Sequence, residues 1–226
     1  MEKRNQLLDD YISFHRSPRS KIGDKGNEVL YDMCKKYPSH ENIDEIIAKI
    51  WLIGRSYAAA IERRKNKKES NDNFYVWAAN KIKKFGFDEK INNIPNKDKL
   101  DTKSVGVICE AHSYVTKRFY EITKLSKRSL ASKYLHFHRP IVPIYDSRAR
   151  LSISELINIY KFLKELPYKI VFNIKTPING DSEYVKFIKK IFSLQKFLLE
   201  SNCQYYTVRD IDKYLIELQE RKSRHE

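Results

Sequence analysis

The chain has 226 residues, 41% hydrophobic and 12% aromatic, enough apolar material for one packed domain and too much for a wholly disordered chain. Its 6 Gly and 7 Pro argue against a turn-rich β architecture, and no apolar run approaches the roughly 18 residues of a membrane span. The formal charge of +15 favours a polyanionic partner, and nucleic acid is the commonest polyanion of a cytosol.

In chain order, the opening MEKRNQLLDD lacks the apolar core of a signal peptide, so a cytoplasmic protein with no membrane partner is expected. NIDEIIAKIWLIGRSYAAAIERR (42–64) carries apolar residues at helical spacing, with acids early and arginines late, as the helix dipole prefers. It is apolar on most sides around 50–60, which predicts a central buried helix with Trp51, Ile53, Tyr57 and Ala58 in the core. A polar linker (66–73) leads to a second amphipathic helix over 74–85, stopped near Gly86, and residues 91–104 read as a loop. A third helix is expected over 105–122, and after it Ser126 can N-cap a helix through KRSLASKYLHFH that Pro140 ends. Further helices are expected over 152–166 with Ser154 as cap, over 181–201, and over 207–222 with Thr207 as cap. YKIVFNIKTPING (168–180) fits a short strand or an irregular connection equally well. The chain therefore reads as all-α. Cys34, Cys109 and Cys203 are far apart and form no CxxC pair, so reduced buried thiols are expected rather than a disulfide or zinc framework.

Positive charge is unevenly spread. Residues 111–150 hold nine Lys and Arg against Glu121 and Asp146, whereas the last 76 residues hold 13 basic and 10 acidic side chains. The basic excess centres on SKYLHFHRPIVPIYDSRAR (132–150), as a phosphate-binding face requires.

A central apolar helix, a helix–short turn–helix, and then a Pro-containing loop delivering an aspartate resemble the helix-hairpin-helix DNA glycosylase superfamily over about residues 42–152. The resemblance implies two closely packed helical lobes in one domain, one around 42–146 and the other from 1–41 and 147–226. It also implies Asp146, followed by Ser147, Arg148 and Arg150, as a catalytic carboxylate, and Lys127, 19 positions earlier, as a catalytic lysine. Lys133 competes with Lys127, one to two turns further along the same helix. IWLIGRSYAAAI matches the early helix bordering a base pocket, for which Arg55, Tyr57, His136 and His138 are candidates, one histidine being expected in the core and the other facing the groove. The family's hairpin glycines are missing from TKLSKRS, so Ser126, Lys127 and Arg128 would meet phosphate with side chains instead.

Each candidate also has a structural explanation. A carboxylate at position 146 can oppose the positive charge that develops on a sugar as a glycosidic bond breaks, or it can cap a helix starting near Ser147 or Ser152. Lys127 can attack a sugar if burial and Arg128 lower its pKa, or it can be an exposed first-turn lysine. Two histidines in an H-x-H pattern do not make a metal site without further ligands, so neither a metal nor a cofactor is expected. A buried Arg55 would need a partner such as Asp146, and Tyr57 can stack on an extruded base. Lys133, Arg139, Arg148 and Arg150 complete the expected phosphate contacts, and RRKNKK (63–68) reads as a solvated helix end and linker.

Two functions from different classes follow: an enzyme that extrudes a modified or damaged base and cleaves its glycosidic bond, or a nucleic-acid-binding module without chemistry, with DNA favoured over RNA in both. A helical ribonuclease of the HEPN kind ranks last, because its R-x4–6-H motif matches at none of the six histidines.

Overall fold

Side chains that stand in for missing backbone partners mark where half of the helices begin. The computed structural model, which describes residues 2–64, 71–164 and 181–224, has ten α-helices among the described residues. They are α1 (Glu2–Arg16), α2 (Asp24–Lys36), α3 (Ile43–Ser56), α4 (Asn71–Lys83), α5 (Phe87–Asn92), α6 (Thr102–Thr123), α7 (Arg128–His138), α8 (Ser147–Ile159), α9 (Ser182–Glu200) and α10 (Val208–Ser223), with 3-10 turns at Pro18–Lys21 and Lys161–Lys164. Asn42 caps α3, Asp146 caps α8 and Asp181 caps α9, each through its side-chain oxygen. Asp101 with Ser104, and Thr207 with Asp210, form reciprocal capping boxes at the starts of α6 and α10. The protein is all-α. The 168–180 segment, residues 66–70 of the linker and the last two residues of the expected 152–166 helix lie outside the described residues.

The expected 42–64 helix stops at Ser56. The Ala59 N–H donates to Gly54 O at 2.8 Å and the Ala58 N–H to Arg55 O at 3.3 Å, while Ala58 adopts a left-handed φ of 51°. This is a Schellman stop with alanine where glycine is usual, and the chain folds back closely enough that a Cβ on Gly54 would lie 3.1 Å from Ala60 Cα. The early stop rearranges the expected core residues. Ile53 is fully buried, Tyr57 is half-buried, Ala58 is exposed and Trp51 is 44% exposed.

The central helix is α7 instead. Every residue from Leu130 to His138 is buried, with α2, α3 and α6 packed against it. Its polar side chains hid this in the sequence, because a Ser, a Lys and two His on a helix ordinarily indicate a solvated face. α6 and α7 are joined by the four-residue turn Lys124–Lys127, where Lys124 is left-handed and the expected cap Ser126 is exposed, the cap position falling on Lys127 with no side-chain cap bond. α5 follows the expected stop at Gly86 and takes in the first two residues of the expected 91–104 loop. α8 begins five residues before its expected start, and Ser154 lies inside it, donating to Arg150 O at 2.7 Å. α8, α9 and α10 pack together with α1, and one continuous apolar core runs from Leu7 to Leu215. The three cysteines are free and buried, as expected.

Candidate functional site

The polar side chains of α7 build the site by holding the loop that follows. Ser132 Oγ donates to Ser129 O at 2.9 Å and accepts from the Tyr145 N–H at 2.8 Å, and His136 Nδ1 meets Val142 O at 2.7 Å. Tyr184 of α9 donates its hydroxyl to Pro143 O at 2.9 Å from the other side. So clamped, the loop delivers Asp146 to the start of α8, where Oδ1 accepts from the Arg148 N–H at 3.0 Å. The second oxygen, Oδ2, is left for Lys133, whose Nζ lies 3.3 Å away.

Lys133 also donates to Ser129 Oγ at 2.9 Å and to Tyr57 O at 3.2 Å, and sits over the Tyr57 ring at 5.4 Å. Its side chain is 2% exposed and that of Asp146 is 20% exposed, so the pair faces water on the Asp146 side, where Arg148 is exposed. Burial pulls the Lys133 amine below its usual pKa range, and Asp146 opposes that shift.

α10 adds a second carboxylate. Asp212 is 4% exposed, pairs through Oδ2 with Arg209 at 2.6 Å, and leaves Oδ1 without a hydrogen-bond partner. Burial raises its pKa against the pull of Arg209, and Asp146 adds to the rise while Lys133 and Arg148 counter it. α2 closes the cluster: Asn27 accepts from the Tyr57 hydroxyl at 2.5 Å, and Tyr31 meets His136 Nε2 at 2.5 Å. The Val142 carbonyl can only accept, so His136 carries its proton on Nδ1 and its Nε2 receives the Tyr31 hydroxyl; burial holds this imidazole neutral with a pKa down to about 3. An amine, two carboxylates, an arginine and two phenols thus meet in a mostly water-excluded setting. Such a group can transfer protons and oppose cationic charge.

The sequence candidates divide between this cluster and other roles. Lys133, Asp146, Tyr57, His136 and Arg148 come together. Lys127 does not: it is buried and donates to Ala60 O at 2.8 Å, with burial and Arg63 lowering its pKa to about 8. Arg128 is ion-paired with Asp181, and Arg139 bonds Asn92 Oδ1 at 2.9 Å and Ile94 O at 3.3 Å. Arg150 and Ser126 are exposed. Arg55, expected to be buried, is 52% exposed and pairs with Glu62 at 2.7 Å, because the early end of α3 turns it outward. His138 packs with His40 and Tyr134 in a separate buried group. Within RRKNKK, Arg64 is buried against the Phe74 ring at 3.9 Å rather than solvated.

Asp212, Arg209, Asn27 and Tyr31 were missed. Asp212 had one available signal. It stands with Val208, Ile211 and Leu215 at the helical spacing of a buried stripe, where an acid calls for a partner. Among the described residues no three His, Cys, Asp or Glu side chains assemble as a metal site. No protein-family model, curated protein or solved structure matches the chain.

Proposed function

We propose that the chain is a nucleic-acid-binding protein of the helix-hairpin-helix glycosylase type, acting on DNA, in which Lys133 and Asp146 excise a modified or damaged base. The observation that carries this reading is the 3.3 Å approach of the Lys133 amine to the Asp146 carboxylate behind the basic start of α8. The α6–turn–α7 pair and the Pro-containing loop that ends at Asp146 support the same reading. With its proton passed to a neighbouring carboxylate or water, the amine attacks C1′ of the deoxyribose. The C1′–N bond breaks, its electron pair leaves with the base, and the base takes up a proton. Asp146 opposes the positive charge that builds on the sugar; the C1′–O4′ bond then opens, O4′ taking the proton that the attacking amine gives up, and the imine so formed can expel the 3′ phosphate by β-elimination before water releases the sugar from Lys133. Tyr57, beside Lys133, is the aromatic surface on which an extruded base stacks.

A specific observation favours the second reading, a binding module without chemistry. Lys127 and Lys133 both donate to carbonyls of the turn after α3, Ala60 O and Tyr57 O, which is a structural task in itself. One experiment separates the two. The protein is incubated with duplexes carrying abasic sites and a panel of modified bases, treated with borohydride, and assayed for trapped adduct and released base. Wild type is expected to form an adduct that Lys133→Ala abolishes and Lys127→Ala retains. Binding without any release or adduct identifies the module. Of the nine cations in 111–150, Lys117, Lys124, Arg148 and Arg150 are exposed, so duplex affinity should fall about two orders of magnitude between 50 and 200 mM salt. No binding at low salt, or a flat salt response, sinks both readings.

A further inference from the structure

A concave feature lies where α10 meets α1 and the 3-10 turn Pro18–Lys21. It is a cavity of about 450 Å³ whose wall includes Arg19, Arg221 and Arg224 around Glu217, with Ser13 and Phe14. Glu217 and Arg221 stand four residues apart on α10, and Arg224, its C-cap residue, follows seven residues after Glu217, so their side chains share one face. Arg19 comes from the turn, which Ser17 and Ser20 fasten by donating to Phe14 O at 2.7 Å and His15 O at 3.0 Å.

All three guanidinium groups converge on a single atom. Arg19, Arg221 and Arg224 reach Glu217 Oε1 at 2.9, 3.2 and 2.7 Å. Glu217 is 7% exposed, whereas the arginines are 50%, 35% and 42% exposed, so the carboxylate is the floor and the guanidinium groups are the rim. Arg221 also bonds Asp10 at 2.8 Å. Three cations therefore face two carboxylates, and a positive charge is left over. Each guanidinium has five N–H donors in a fixed fork, and the carboxylates occupy only a few of them. A tetrahedral oxyanion with several acceptor oxygens fits such a half-used, convergent set of donors.

We propose that this cavity binds a phosphate group. Its volume exceeds that of inorganic phosphate and falls in the range of small-molecule sites, so it has room for a phosphate carried on a larger ligand. Two sources share this chemistry, a nucleic-acid backbone and a free phosphorylated compound. Arg221 lies nine residues beyond Asp212 on α10, about 13 Å along the helix axis and half a turn around it, so a strand held at the Lys133–Asp146 site would have to pass round α10 to reach the cavity. The inference does not depend on base-excision chemistry.

The test is titration calorimetry at low salt with pyrophosphate and with a 5′-phosphorylated single-stranded oligonucleotide. Wild type, Arg19→Gln/Arg224→Gln and Arg19→Lys/Arg224→Lys are compared, each checked by thermal melting; both arginines are half-exposed, so the fold is expected to survive. Pyrophosphate should bind wild type, bind at least about tenfold more weakly to the glutamine double variant, and fall between the two with lysine, which keeps charge but loses the fork. An oligonucleotide that displaces pyrophosphate and weakens in parallel identifies the backbone as the source. Pyrophosphate binding that weakens while oligonucleotide affinity holds identifies a free phosphorylated compound. Absence of pyrophosphate binding, or equal affinity in wild type and the glutamine variant, overturns the proposal and leaves the arginines as a staple between the ends of the chain.

Discussion

Asp146 does two jobs with two oxygens: Oδ1 caps α8 and Oδ2 faces the buried Lys133 amine. The Asp146→Asn change keeps an acceptor for the cap but strips the amine of its counter-charge. Such a variant should lose about 1–3 kcal/mol of stability in urea denaturation, more than a cap alone would cost. If the proposed function holds, it should still bind DNA, with base release down by about two orders of magnitude or more. Lys127→Met makes the opposite case. It leaves Ala60 O without its donor and should cost about 1–3 kcal/mol while leaving base release unchanged. A Lys127→Met protein that is stable but inactive would reverse the assignment of the two lysines. The sequence placed both in view, since Lys127 stands at the start of α7 and Lys133 in its middle, but it could not rank them. Their ranking depends on which carbonyl or carboxylate each amine meets across the fold.

Among the elements, the end of α3 departs most from its apolar pattern. Periodicity continues through Tyr57 and Ile61, yet the chain turns at Ala58 because the Ala59 N–H reaches back to Gly54. Gly54→Ala would place its methyl 3.1 Å from Ala60 Cα, against backbone that cannot swing aside, and should destabilise by about 1–3 kcal/mol. Ala58→Gly removes the left-handed strain and should stabilise by about 0.5–1 kcal/mol. Opposite shifts in melting temperature check the pair, and a neutral Gly54→Ala would show that the turn has room. Three buried lysines follow one rule at such ends. Lys49 donates to Tyr37 O and Ser39 O after α2, and Lys127 and Lys133 to the turn after α3. Each puts a cation at the negative end of a helix dipole.

For the molecule as a whole, the buried histidines couple folding to pH. Burial is the first cause of the lowered pKa of His40, His112 and His136, at about 4, about 4 and about 3. Lys49 lowers His40 further against the pull of Asp88, and Arg209 lowers His136. Unfolded chains protonate histidine near 6.5, so between about pH 6.5 and 4 the unfolded state binds protons that the folded state does not. The stability from these groups is therefore complete above about pH 6.5 and drains away on acidification, by up to about 1.4 kcal/mol per pH unit for each group. Urea midpoints at pH 7.5 and 5.0 should show a clear fall at the lower pH. An unchanged or higher midpoint at pH 5.0 would mean that these imidazoles are protonated in the folded protein.

The helical class, the starts of α3, α9 and α10, and the crowding of polar and charged side chains into residues 132–150 follow from the sequence alone. Period and capping are local codes, written within about one turn of where they act. Tertiary structure alone decided that α7 is the centre, that Arg55 and Trp51 face water, and that Lys133 rather than Lys127 meets Asp146. It also brought Asp212 to that site from α10. These outcomes rest on partners distant in sequence, such as Tyr57 O for Lys133, 76 residues away. The same polar side chain reads as a solvated face or a buried site until the fold supplies, or withholds, the atom that satisfies it.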